Sequence, residues 1–218
     1  RDKLVTGVQT CALPIYHLLV ANVDGSDIHD LTPGTHDVPP FSLGGPEGYA
    51  ISPDSEELAF TMDADSQPAI STNVDIYTVP LAGGESKKVT ISSGADDGPQ
   101  YSPDGKYLAF RTQMRAGNES DRVRMQVLER ATGKITNLTE SLDRSVDSFT
   151  WSPDSTRLFF TAQDRGRGGL QMISVNGGGI RNIINGAVGI FGIKRQRIWP
   201  GADIGQKLEN HKIGRAHV

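Results

Sequence analysis

Short apolar runs separated by turn residues dominate the middle of the chain. Residues 57–62 (ELAFTM), 107–112 (YLAFRT) and 157–162 (RLFFTA) are short and bounded by turn signals, and each predicts a strand. Each run follows a Ser-Pro-Asp tripeptide, at 52–54, 102–104 and 152–154, so the copies stand 50 residues apart. An aliphatic or aromatic residue precedes every copy: Ile51, Tyr101 and Trp151. A further strand is expected at 75–81, 123–129 and 170–175. A Gly-bearing turn and a short fourth strand then follow, at 87–91, 135–139 and 180–184.

The tripeptide has a local reason to recur. Proline presets φ for the second position of a type I turn, and Ser and Asp can bond nearby backbone amides. Gly105 supplies the permissive position after the middle copy, and Ser55 and Ser155 replace it in the others. Four antiparallel strands on a period of ~40–50 residues are the signature of a propeller blade. The fold class expected is therefore all-β, a partial β-propeller of about three full blades near 48–97, 98–145 and 146–188, with incomplete flanking ones. The end of an earlier blade is expected in 17–23, the Asp24-Gly25 turn and 28–32. Leu158, Phe160 and the residues preceding Ser-Pro-Asp are assigned to packing between blades. Asp54, Asp104 and Asp154 are assigned to turn formation, because they recur in every unit.

Charge and composition narrow the function. Lys and Arg total 22 against 26 Asp and Glu, a formal charge of −4, which lacks the basic footprint of a nucleic-acid binder. No run approaches the ~18 apolar residues that span a bilayer, so no membrane partner is expected. The one cysteine, Cys11, cannot pair within the chain. The histidines (His17, His29, His36, His211 and His217) show no metal-binding spacing, so neither metal nor cofactor is expected.

The two ends read differently from the middle. Residues 5–15 (VTGVQTCALPI) resemble the translation of a widely used sequencing adapter, with 1–4 fitting the stretch before it. Residues 212–218 (KIGRAHV) resemble a translation of its reverse complement. The expected organisation is adapter-derived sequence at 1–15, partial propeller at 16–188, a degenerate or frame-shifted next blade at 189–211, and adapter again at 212–218.

The blades resemble the propeller repeats shared by TolB-like proteins and the prolyl oligopeptidase family of serine peptidases. The stretch 111–155 resembles the N-terminal propeller of dipeptidyl and acylaminoacyl peptidases of that family. The features that carry this are the insertion Arg-Ala-Gly-Asn-Glu-Ser-Asp-Arg at 115–122, and Asp-Arg-Ser-Val-Asp-Ser-Phe at 143–149 before the next Trp-Ser-Pro-Asp. The resemblance implies a propeller that gates access of short peptides to an α/β-hydrolase domain. No G-x-S-x-G nucleophile elbow occurs here, so no catalytic residue is assigned and that domain is expected to be missing from this chain. In some family members the propeller holds the substrate's free amino terminus through acidic residues. On that basis Glu119 is the candidate for meeting the terminus, with Asp121 beside it and Arg115 and Arg122 bracing the carboxylates as substrate-binding neighbours. The other reading of the loop is a solvated run of paired charges or a salt-bridged contact between domains. The alternative is a TolB-like, non-enzymatic propeller that binds other proteins. The sequons Asn118-Glu119-Ser120 and Asn137-Leu138-Thr139 are read as incidental.

Overall fold

The computed structural model describes residues 3–9, 15–40 and 48–187; the segment expected as a degenerate blade and the C-terminal adapter stretch lie outside them. Four antiparallel sheets follow one another along the chain. The first holds β1 (Lys3–Gln9), β2 (Tyr16–Asn22) and β3 (His29–Asp30). The second holds β4 (Tyr49–Ile51), β5 (Glu57–Met62), β6 (Asp75–Pro80) and β7 (Lys87–Lys88), with a 3-10 turn at Pro68–Ile70 between β5 and β6. β8 (Asp96–Tyr101), β9 (Tyr107–Thr112), β10 (Arg124–Glu129) and β11 (Lys134–Asn137) form the third. β12 (Val146–Trp151), β13 (Arg157–Asp164), β14 (Arg167–Ser174) and β15 (Arg181–Ala187) form the fourth. Each strand pairs with its neighbours in chain order, as in a propeller blade.

The expected strands are present, with shifted ends. β8 starts at Asp96, so the boundary read near 98 falls inside that strand. β13 and β14 extend to Asp164 and Arg167 and close over a two-residue turn, Arg165 (φ 51°) and Gly166 (φ 76°). β1 lies in the stretch read as adapter and pairs with β2 from Lys3↔Asn22 to Gln9↔Tyr16. Main-chain pairing at an open sheet edge makes no demand on side-chain pattern, so this strand does not bear on the origin of its residues.

The Ser-Pro-Asp turns act as their chemistry suggests. Ser52, Ser102 and Ser152 donate their hydroxyls to Asp54, Asp104 and Asp154. The same hydroxyl oxygens accept the backbone N–H of Glu57, Tyr107 and Arg157 at 3.0, 2.9 and 3.0 Å. Ser55, Gly105 and Ser155 occupy the left-handed position at φ 59°, 73° and 60°.

Apolar cores fill the seams between sheets. Leu18, Val20 and Leu31 of the first unit pack on Leu58, Phe60 and Val79 of the second. Ala59 and Ile76 pack on Tyr101, Leu108 and Phe110, and Met125 and Val127 pack on Phe149, Trp151 and Phe160. The residue before Ser-Pro-Asp also reaches back across the seam. The Tyr101 hydroxyl donates to Glu57 Oε1 at 2.6 Å, and Trp151 Nε1 donates to the Gln100 carbonyl at 3.0 Å.

A threonine finishes each of the first three units, a feature the tripeptide pattern did not announce. Thr32, Thr90 and Thr139 follow the fourth strand, and their Oγ1 atoms accept the backbone N–H of Leu18, Ile76 and Met125 at 2.9, 3.0 and 2.8 Å. The residue before each threonine donates its N–H to the carbonyl of that same strand residue. The hydroxyl therefore stands in for the missing backbone acceptor where the fourth strand turns away.

Candidate functional site

The connection from β9 to β10, residues 113–123, is built as a braced loop. Gln113 anchors its root: its backbone N–H donates to the Ala95 carbonyl at 2.8 Å. The Gln113 side-chain amide donates to the carbonyls of Glu119 and Asp121 at 3.0 and 2.8 Å, drawing the far limb back. Asn118 closes a local turn through Ser120 N–H on its Oδ1 and Asp121 N–H on its carbonyl. Gly117 makes the expected bend at φ 67°, and its N–H donates to Thr72 Oγ1 of the preceding blade's equivalent connection at 2.9 Å.

The four residues singled out from sequence have separate roles. Asp121 is buried, and its Oδ2 accepts the Met114 N–H at 2.7 Å. That backbone bond, with help from Arg124 and Arg115, holds its carboxyl below the usual carboxylate range. Arg115 is 75% exposed and lies 3.9 Å from Asp121 Oδ1. Arg122 does not face the loop carboxylates: it pairs with Glu140 Oε1 at 3.1 Å and donates to the carbonyls of Glu140 and Leu142. Glu119 is exposed, and its carboxylate makes no ion pair or hydrogen bond among the described residues.

Sequence reasoning missed the residues that tie the loop down. Arg124 sits 14% exposed between Asp121 (3.5 Å) and Glu140 (2.9 Å) and also donates to the Arg122 carbonyl at 2.8 Å. Its position inside an apolar-patterned strand gave no local sign of this, and Glu140 arrives from another connection. Below the loop, Arg111 forks onto Asp97 at 2.7 and 2.6 Å and donates to the Asp147 carbonyl of the next blade. No group of His, Cys, Asp and Glu suited to a metal ion occurs among the described residues.

No protein-family model matches the chain. Dipeptidyl-peptidase 5 of Porphyromonas gingivalis is 34% identical over 181 residues, covering 79% of this chain and 26% of the relative. The chain is a partial propeller similar in sequence to dipeptidyl-peptidase 5. It spans about a quarter of that relative's length. In fold it is similar to a prolyl endopeptidase, with a TM-score of 0.57 at 16% identity, covering 79% of this chain and 26% of that one. A TolB from Agrobacterium tumefaciens gives a TM-score of 0.56 at 17% identity, covering 83% of this chain and 60% of that one. At these identities the two structures speak to the propeller fold alone. The relation to a peptidase comes from the sequence match.

Proposed function

We propose that this chain is the substrate-gating propeller segment of a serine exopeptidase acting on short peptides. An α/β-hydrolase domain outside this chain would supply the catalytic residues. The observation that carries the reading is the 34% identity to a dipeptidyl peptidase over 79% of the chain. The loop at 113–123 gives it a residue-level form. Glu119 projects an uncompensated carboxylate from a connection braced at both ends, which leaves it open to a substrate ammonium. Asp121 and Arg122 set the loop's shape, and Arg115 stands exposed beside it. A carboxylate that meets a desolvated ammonium gains a charge-assisted hydrogen bond and penalises substrates lacking the charge.

The test uses the intact protein that contains this segment. Glu119→Gln is expected to raise KM at least about tenfold for peptides with a free amino terminus, the scale of one charged hydrogen bond. N-acetylated peptides should change less than about twofold. Equal effects on both substrates would return the loop to a structural role. Coding sequence continuous with this segment but lacking a G-x-S-x-G elbow would remove the peptidase reading altogether.

A further inference from the structure

One seam departs from the rule the other two keep. At the start of each inner strand, or just before it, a residue donates its N–H to the strand two connections earlier. These bonds run from Val38 to the Tyr16 carbonyl at 2.8 Å, Asp96 to Val74 at 2.6 Å and Val146 to Val123 at 2.9 Å. Val38 and Val146 are each 1% exposed and belong to the apolar cores. Asp96 is 0% exposed and places a carboxyl where its counterparts place methyl groups.

The surroundings of that carboxyl only half satisfy it. Ser92 Oγ donates to Oδ2 at 2.8 Å, while Oδ1 is buried with no well-formed hydrogen bond. From β6 comes a second buried carboxylate, Asp75, already committed to Lys88 of β7 at 2.6 Å and to Thr90 Oγ1 at 3.1 Å. From β9, Thr112 is the register partner of Asp96, and the neighbouring Arg111 is occupied by Asp97. Lys88 feels Asp96 only at a distance, because its ammonium is paired directly with Asp75.

We propose that Asp96 is a proton-operated latch: as a neutral acid it fills the valine-like place and closes the seam beneath the 113–123 loop, and its ionisation loosens both. The coupling is direct in the chain. Asp96 pairs with Thr112, the next residue Gln113 bonds Ala95, and the Gln113 side chain holds the loop carbonyls. Burial pushes the carboxyl up to about 6, with the hydroxyls of Thr112, Ser92 and Thr90 offsetting only part of the rise and Asp75 adding to it. A buried acid with a raised value binds its proton more tightly folded than unfolded. The latch is therefore fully closed below the unfolded value near 3.8 and is lost as pH rises through about 6. The inference stands independently of the peptidase reading.

The experiment measures denaturant unfolding and amide exchange of the 218-residue chain from pH 4 to pH 8, beside Asp96→Asn and Asp96→Val. Between those limits the wild-type folding constant should fall by up to about a hundredfold relative to either variant. The protection of amides in 113–123, relative to their intrinsic exchange rate at each pH, should fall over the same interval in the wild type alone. If Asp96→Val does not fold, Asp96→Asn decides the matter. Parallel pH profiles for wild type and Asp96→Asn, or loop protection that is the same at pH 4 and pH 8, would overturn the latch.

Discussion

Replacing Thr139 by Val isolates the bond that closes the middle blade. The side chains are nearly isosteric, so packing changes little, but Val offers no acceptor to the Met125 N–H now bonded at 2.8 Å. Thr139 is 1% exposed and Met125 0%, so water cannot take the vacated place. An orphaned buried donor costs about 1–3 kcal/mol. Taking about 2 kcal/mol, a protein of this size should lose about 4–8 °C in Tm. Thr90→Val should cost more, because the Thr90 hydroxyl also donates to buried Asp75 at 3.1 Å. Thr139→Ser keeps the acceptor and loses one methyl, about 0.8 kcal/mol, so it should fall between wild type and Val. Denaturant titration gives the stabilities, and amide exchange at Met125 reports the bond itself. A Thr139→Val variant within about 0.5 kcal/mol of wild type, with Met125 still protected, would refute the clasp.

Two further outcomes follow from the seam and the loop. Tyr101→Phe removes a charge-assisted bond to Glu57 while leaving Arg130 at 3.1 Å from that carboxylate, and should cost about 1.5–2 kcal/mol. A double-mutant cycle with Glu57→Gln should recover a coupling of at least about 1 kcal/mol, and additive single effects would contradict the contact. Asp121 has its carboxyl lowered chiefly by the Met114 N–H, so its contribution is present above the unfolded value of 3.8 and lost as pH falls through the lower folded value. Asp121→Asn should therefore speed Met114 amide exchange at pH 7 and converge with wild type in acid; an unchanged rate at pH 7 would count against the brace.

The blade was legible because its turns carry their own chemistry. Ser-Pro-Asp fixes φ, supplies an acceptor and supplies a donor within three residues, so its recurrence could be read without any tertiary information. The threonine clasp was present in the same strings, as Leu31-Thr32, Val89-Thr90 and Leu138-Thr139. It went unread because a threonine at a strand end fits ordinary strand propensity, and its partner lies 14 residues earlier. The loop shows the same division. Gly117 and the excess length were visible locally, whereas the assignment of Arg122 to Glu140 rather than to Asp121 depends on a connection 18 residues away. Asp96 was hidden for a different reason. Only the aligned backbone bonds of three seams show that an aspartate stands where valines are packed.

Where the units repeat, the shared task is to bury one sheet face against the next; where they differ, that task places no demand. The Ser-Pro-Asp turns of the last three sheets, the threonines of the first three and the aromatic contacts of Tyr101 and Trp151 across two seams recur because neighbouring sheets meet the same packing requirement. The second-to-third strand connections do not recur. One carries a 3-10 turn at Pro68–Ile70, one is the braced loop at 113–123, and one is the two-residue Arg165-Gly166 turn. Within the braced loop the two carboxylates are treated in opposite ways. Asp121 is buried and, like the exposed turn aspartates Asp54, Asp104 and Asp154, has its carboxylate engaged by hydrogen bonds from its own unit. The Glu119 carbonyl is held by the Gln113 side-chain amide, while its carboxylate is left unengaged among the described residues. A solvated glutamate costs the loop little, so its exposure by itself assigns it no partner. Whether Glu119 meets a substrate ammonium is therefore decided by the Glu119→Gln comparison of free and blocked peptides, and the bracing of 113–123 fixes only where the carboxylate stands.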